Sequence, residues 1–432
     1  MSPKMVYIKD FKDYLGQEVL VKGWIYNFRS SGKIAFLQLR DGSGYTQAVV
    51  DQKSVDEATW KVASEMTIES SVEMAGIVSK HPKKEEYELQ VQALRFVQKA
   101  EEYPIGKKEH GPDFLLENRH LWLRAPSQWA ILRIRHLVKK GLQEFFNSNG
   151  YVELDTPIFT PTCCEGTSDL FEVNYFDRKA YLTQNGQLYL EAMVMAFGKV
   201  YDLCPNFRAE KSKTRKHLTE FWSLNPEIAF INHEESLAIQ EQSVKYLFKF
   251  ILEHAADELK ILERDLNELR AVIDQPFAHY TYREAITQLS ALGSAIKFGD
   301  DLGAEDEELL TKDSAVPIIV KNWPKAAKPF YMKGNFADKE LVNNADILAS
   351  RGFGEIIGGS QREDDYAILK ARIIEAKLPL KDFEWYLDLR RYGSVPHCGF
   401  GIGIERLTRW IAGIHHVRET IPFPRTINRI YP

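Results

Sequence analysis

Cysteine is scarce: four in 432 residues, at 163, 164, 204 and 398, with no C-x-x-C pairing. This excludes a disulfide-stapled fold and a zinc knuckle built on paired thiols, and it predicts reduced thiols. No apolar run approaches membrane-spanning length, and the opening residues MSPKMVYIKDF carry no signal-peptide core. The expectation is a cytoplasmic protein without a membrane partner. Positive charge is also in deficit, with 56 Lys and Arg against 61 Asp and Glu. Any nucleic-acid partner must therefore be met by a local patch, not a basic coat. Two familiar nucleotide signatures fail as well. The glycine-rich stretch CGFGIGIERL, 398 to 407, has the spacing G-x-G-x-G, which is neither a dinucleotide fingerprint nor a G-x-x-x-x-G-K-[ST] loop.

What remains is length and aromatic content. A chain of this size exceeds one ordinary core, and 24 Phe, 19 Tyr and 8 Trp supply ample surface to bury. From Val19 the text VLVKGWIYNFRSSGKIAFLQLRDGSGYTQAVV alternates apolar and polar residues between SSGK and RDGSG turns. With SSVEMAGIVSK, YELQVQALRFV and the helical VDEATWKVASEM, residues 1–103 give about five strands and one helix, which fits an OB-type Greek-key barrel. Such barrels bind single-stranded nucleic acid through aromatics and cations on one face, and Arg29, Phe36 and Gln47 fall on the candidate face. Phe36 has an alternative reading as a core residue.

Residues 104–125 are polar and end before Pro126, so they read as a hinge. From 126 a larger domain begins. SQWAILRIRHLVKKGLQEFFNSNGY has helical apolar spacing and a stop at Asn149-Gly150, and the later text mixes consecutive hairpins with long helices. The fold class expected is α+β, an antiparallel sheet flanked by helices. The stretch near 280–312 reads as an insertion with a helix and an acidic turn.

Chemistry gathers in three places. NFRAEKSKTRKHLTEFW places Arg208 and Glu210 two apart at a strand end, on one face, before a loop carrying Lys211, Lys213, Arg215, Lys216 and His217. An arginine on a sheet floor suits bidentate binding of phosphate. A solvated surface hairpin is the alternative. NNADILASRGFGEIIGGSQRE carries Asp346, Glu355 and Arg362, and its carboxylates suit Mg2+ on nucleotide phosphates. The third place is the glycine strand itself, which runs into a helix opened by Glu405 and Arg406 and reads either as a pocket floor or as close-packed strand.

The FRAE segment with His217 and Phe221, the GFGIGIER segment, and NGYVELDTPIF with Pro157 resemble, in order and spacing, motifs two, three and one of the class II aminoacyl-tRNA synthetases. The barrel, LLENRHLWLR and FPRT narrow the resemblance to the subgroup acting on aspartate, asparagine and lysine. The resemblance implies a 126–432 catalytic domain, ATP as co-substrate and an N-terminal domain that binds the tRNA anticodon. It implies that Arg208 binds the α-phosphate, Arg406 the γ-phosphate, Glu210 and Phe221 the adenine, and His217 the outer phosphates, with Asp346 and Glu355 holding Mg2+. It also implies a homodimer formed through motif one around Pro157.

The amino acid is read from TQNGQLYLEA. Aspartate enzymes of the subgroup carry lysine three residues after the glutamine that matches Gln187, and here Leu190 stands there. Without that cation a buried substrate carboxylate lacks its partner, whereas a neutral carboxamide needs only hydrogen bonds. Asparagine is therefore the expected substrate and tRNA(Asn) the expected partner. Arg362 would donate to the side-chain carbonyl, Gln187 would hold the α-amino group, Glu165 would close over the substrate and Glu227 would complete the wall. The sequence departs from the subgroup at Asn225, where an acid is usual, and Glu191 or Glu227 is expected to take over its role. Three other functions stay open: an aspartyl enzyme of relaxed specificity, an adenylate-forming asparagine synthetase, and a non-catalytic RNA-binding paralogue.

Overall fold

The computed structural model describes residues 3–106, 108–161, 170–211 and 214–432. They form two compact units, Met1–Gly111 and Pro112–Pro432.

In the first unit, five strands close a barrel. Glu18–Ser31 pairs with Ile34–Arg40, which pairs with Tyr45–Asp51; Tyr87–Gln98 and Ser71–Lys80 follow, and Ser71–Lys80 returns to pair with Glu18–Ser31. Closure removes the free edges of a small sheet. Alternation sets the two faces: Ala35, Leu37 and Leu39 are buried with Val19, Val21, Ala48 and Val50, so the residues between them point outward. Phe36 is therefore on the outer face, half-buried, and not in the core. Arg29, its cross-strand partner, holds its guanidinium 4.6 Å from the Phe36 ring centroid. Gln47 faces outward too, and its side chain donates to Glu88 at 3.2 Å.

The second unit is built on eight strands ordered Ala278–Thr281, Ile318–Lys321, Asn344–Ala349, Gly354–Gln361, His397–Gly403, Glu220–Ala229, Lys199–Phe207 and Val152–Glu153. The centre is antiparallel, as expected, while both outermost pairs are parallel. Helices Pro126–Ser148, His233–His254 and Ile404–Ala412 bury one face of the sheet through Ile134, Val138, Phe146, Val244, Leu247 and Trp410. The first of these helices stops at Asn149, and Gly150 takes φ 80°, the left-handed geometry that ends helices.

Two expectations need correction. The 104–125 segment is only partly linker, because Pro112–Glu117 and Arg119–Trp122 are helical and Arg119 is fully buried. Its guanidinium donates to Gln128, nine positions on, and to the backbone carbonyls of Glu419, Ile421 and Pro422, contacts about 300 residues away that local composition cannot reveal. The 280–312 segment is more than a helix and a turn. It contributes to the edge strand Ala278–Thr281 and forms two helices, Tyr282–Ala291 and Ala304–Thr311, packed on their own core of Leu289, Leu310, Val320 and Trp323.

Candidate active site

The sheet face opposite the long helices carries a cavity of about 380 Å³. Arg208, His217, Phe221, Asn225, Glu227, Asp346, Glu355, Arg362 and Arg406 all line it, together with Gln187 and glycines 358, 359, 401 and 403. The three chemistry-bearing segments therefore converge on one space. The glycine strand is its floor and not merely close-packed structure. A Cβ on Gly399 would fall 1.7 Å from Glu227 Oε2 and 2.5 Å from Arg362 Nη2, so only glycine leaves room for that pair.

At one end lie the cations. Arg406 Nη1 is 3.0 Å from Glu355 Oε2, and the Arg208 guanidinium stands 5.5 Å from the Phe221 ring centroid. Burial pushes the Glu355 carboxyl up, but Arg406 and then Lys328 outweigh it and hold it down at about 2. His217 is pushed down to about 4 by burial and by Arg406 and Arg208, so its imidazole is neutral at pH 7. Asp346 is pushed up by burial to about 6 despite the ammonium of Lys328, whose Nζ lies 2.8 Å from Asp346 Oδ2.

The two carboxylates converge. One oxygen of each is held by a cation, Asp346 Oδ2 by Lys328 and Glu355 Oε2 by Arg406. The others, Asp346 Oδ1 and Glu355 Oε1, lie 3.4 and 3.3 Å from where a Cβ on Gly358 would be. Two oxygens sharing a space that glycine keeps open form a donor set that fits Mg2+, which takes one or two carboxylates and retains water for its other positions.

At the other end, Arg362 is fully enclosed. Its Nε and Nη2 reach Glu227 at 2.8 and 3.0 Å, and its Nη1 donates to Ser360 at 2.8 Å. Beneath this pair sits Glu191, fully buried, accepting from Gln187, Tyr386 and Arg390 at 3.1, 2.8 and 2.6 Å, with His397 Nε2 at 3.1 Å. Glu191 does not line the cavity and its oxygens are taken, so it does not replace an acid at position 225.

Other site expectations also change. Leu190 does not line the cavity; it is fully buried with Val194, Val200 and Ala229. Its helix, Gln187–Phe197, turns Gln187 toward the cavity and carries Leu190 into an apolar cluster. Glu210 is not a lining residue either. The strand ends at Phe207, so the shared-face argument lapses, although Glu210 still lies 3.8 Å from Arg208. Glu165, Lys213, Cys163 and Cys164 lie outside the described residues. Sequence reasoning missed Lys328, Trp323, Tyr331 and Glu307, all of which line the cavity. Glu307 comes from the 280–312 segment, and its Oε2 accepts from Lys216 at 2.5 Å and from the Glu355 backbone N–H at 2.6 Å.

A glycine-floored sheet thus carries one cavity with Arg208 and Arg406 at one end and the buried pair Arg362 and Glu227 at the other. Residues 111–427 match the model of the class II tRNA synthetases (D, K and N), and residues 19–97 match that of the OB-fold nucleic acid binding domain. The chain is 50% identical over 428 residues to an asparagine–tRNA ligase of Pelotomaculum thermopropionicum, covering 99% of each. It superposes on asparaginyl-tRNA synthetase from Pyrococcus horikoshii complexed with asparaginyl-adenylate with a TM-score of 0.95 at 42% identity, over 100% of both chains. The Entamoeba histolytica asparaginyl-tRNA synthetase gives 0.90 at 30%, again over 100% of both. The chain is a class II aminoacyl-tRNA synthetase, and within that class it belongs to the asparagine–tRNA ligase family.

Proposed function

We propose that this chain activates L-asparagine with ATP and transfers it to the 3′ end of tRNA(Asn). The observation that carries the reading is the division of one cavity into a cationic end, Arg208 and Arg406, and a recognition end, Arg362 with Glu227. In the first step the asparagine α-carboxylate attacks the α-phosphorus of ATP. The P–O bond to pyrophosphate breaks, and the aminoacyl-adenylate remains. No protein nucleophile is required; orientation and fixed charge lower the barrier. Arg208 faces the α-phosphate, where charge builds during attack, and Phe221 offers its ring to adenine. Arg406 and neutral His217 take the outer phosphates, and Glu210 meets the adenine from beside Arg208. Asp346 and Glu355 would hold Mg2+, which when bound supplies charge neutralisation on the phosphates. Gln187 attends the α-amino group, and Glu165, which lies outside the described residues, closes over the substrate. In the second step the terminal ribose hydroxyl of the tRNA attacks the adenylate carbonyl and releases AMP.

Asparagine is favoured over aspartate because Leu190 gives no cation to a second carboxylate and because Glu227 already neutralises Arg362. The barrel disfavours the asparagine synthetase alternative, since such enzymes lack it, and the retention of Arg208, Glu355 and Arg406 in one cavity disfavours a non-catalytic paralogue. Pro157, Ile158 and Phe159 are exposed, which suits the proposed homodimer through motif one. Among the described residues no helix is long and apolar enough to cross a membrane, and the proposed location, argued from the tRNA-charging role, is the cytoplasm.

The test is ATP–pyrophosphate exchange with asparagine and aspartate side by side. Exchange with asparagine and none with aspartate is the expected outcome; the reverse would restore the aspartyl reading. The anticodon assignment is tested separately. Phe36→Ala should raise the KM for tRNA by about 5- to 100-fold, the worth of one lost base stack, while exchange keeps its rate because no tRNA takes part. An unaltered tRNA KM would remove Phe36 from the interface.

A further inference from the structure

The asparagine reading leaves one question, which is what accepts from the substrate's carboxamide NH2. Arg362 is a donor only, so it reads the carbonyl. Glu227 already accepts from Arg362 through both oxygens, so it reaches the substrate only with its remaining lone pairs, and the oxygens of Glu191 are engaged behind the wall. Asn225 lies two residues before Glu227 on the strand Glu220–Ala229 and lines the same cavity.

Its amide is not free to turn. Asn225 Nδ2 donates to Asp202 Oδ1 at 2.6 Å across the strand pair, and Asp202 Oδ2 accepts from Thr156 Oγ1 at 2.6 Å. Asp202 is almost fully buried and pinned from a third side: a Cβ on Gly186 would fall 2.0 Å from its Oδ2. A carboxylate only accepts, so it selects the nitrogen end of the Asn225 amide and turns the oxygen away. That oxygen, Oδ1, lies 3.1 Å from where a Cβ on cavity-lining Gly401 would be.

We infer that Asp202 is a positioning residue for substrate recognition: it fixes Asn225 with its amide oxygen toward the cavity, where that oxygen accepts from the carboxamide NH2 of bound asparagine. The acid usual at position 225 has in effect moved one strand across, and Asn225 relays its polarity to the substrate. This rests on the asparagine reading above. An outward acceptor also repels a carboxylate, so the pair disfavours aspartate.

The experiment is pyrophosphate exchange with separate KM values for asparagine and ATP, on Asp202→Leu, Asn225→Asp and the pair swap D202N/N225D. Asp202→Leu frees the amide and should raise the asparagine KM by about 10- to 100-fold, the worth of one buried hydrogen bond, with the ATP KM unchanged. Asn225→Asp sets two carboxylates face to face and should impair asparagine use similarly. The swap restores one acid and one amide, with the amide at 202 donating and an acceptor again facing the cavity, and should recover most of the loss. It conserves volume, so it remains informative if Asp202→Leu does not fold. A swap no better than Asn225→Asp alone, or a joint rise of both KM values in Asp202→Leu, would overturn the inference. Absence of asparagine exchange in the unsubstituted chain would instead remove the function on which it rests.

Discussion

Arg208→Ala should lower the rate of asparagine-dependent pyrophosphate exchange by about 10²- to 10³-fold, the usual loss when one donor to developing charge is removed. The folded protein should barely register the change. Arg208 pairs with Glu210 at 3.8 Å, and both side chains are about one-third exposed, 31% and 35%. Pairs of that kind contribute roughly 0–1 kcal/mol. The contrast between a large kinetic loss and a small stability loss is what marks a transition-state ligand. Arg208→Lys keeps the charge but loses the planar fork, so it should fall between the two. Arg406→Ala should also stop exchange, but less cleanly, because it strips Glu355 of a partner at 3.0 Å. Unchanged exchange in Arg208→Ala, or a loss matched by unfolding, would remove Arg208 from the reacting phosphate.

Legibility in the sequence followed the range of the interactions. The barrel was readable because alternation along one strand, such as Ala35-Phe36-Leu37, is a local property and fixes which side chains enter the core. The glycine strand was readable for the same reason: 399, 401 and 403 share one face, and a floor without side chains on that face is its direct consequence. Arg208 and Arg406 stood out through motif spacing and Glu355 and Arg362 through the residue types of one segment, and the sheet order brings all four to one cavity.

What stayed hidden depends on distant pairing. Lys328 meets Asp346, and Lys216 meets Glu307 across 91 positions, with no periodicity to announce either contact. Leu190 shows a different limit. Its place in QLYLE showed that no cation stands there, but depth is set by Val200 and Ala229 on neighbouring strands, and it proved to be a wall residue behind the cavity. Asp202 carries no signal in the sequence, and only the strand register sets it opposite Asn225.

Arg362→Met should have two separable effects. Among the described residues Arg362 is the one partner that donates to both oxygens of Glu227, and both side chains are almost fully enclosed, at 5% and 1% exposure. Removing the guanidinium strands a buried carboxylate, which should cost about 3–5 kcal/mol of stability and show as an early unfolding transition. It also removes the donor to the substrate's side-chain carbonyl, so asparagine exchange should vanish. These losses have different causes, and the double variant Arg362→Met with Glu227→Gln separates them. With no charge left to strand, stability should largely return, because a neutral amide against a thioether carries a far smaller desolvation cost. Activation of asparagine should not return, since nothing then donates to the carbonyl. A double variant that regained both would show Arg362 to be a structural counter-ion only. Recovery of stability alone would place amino-acid recognition on the guanidinium, with Glu227 as the group that makes burying it tolerable.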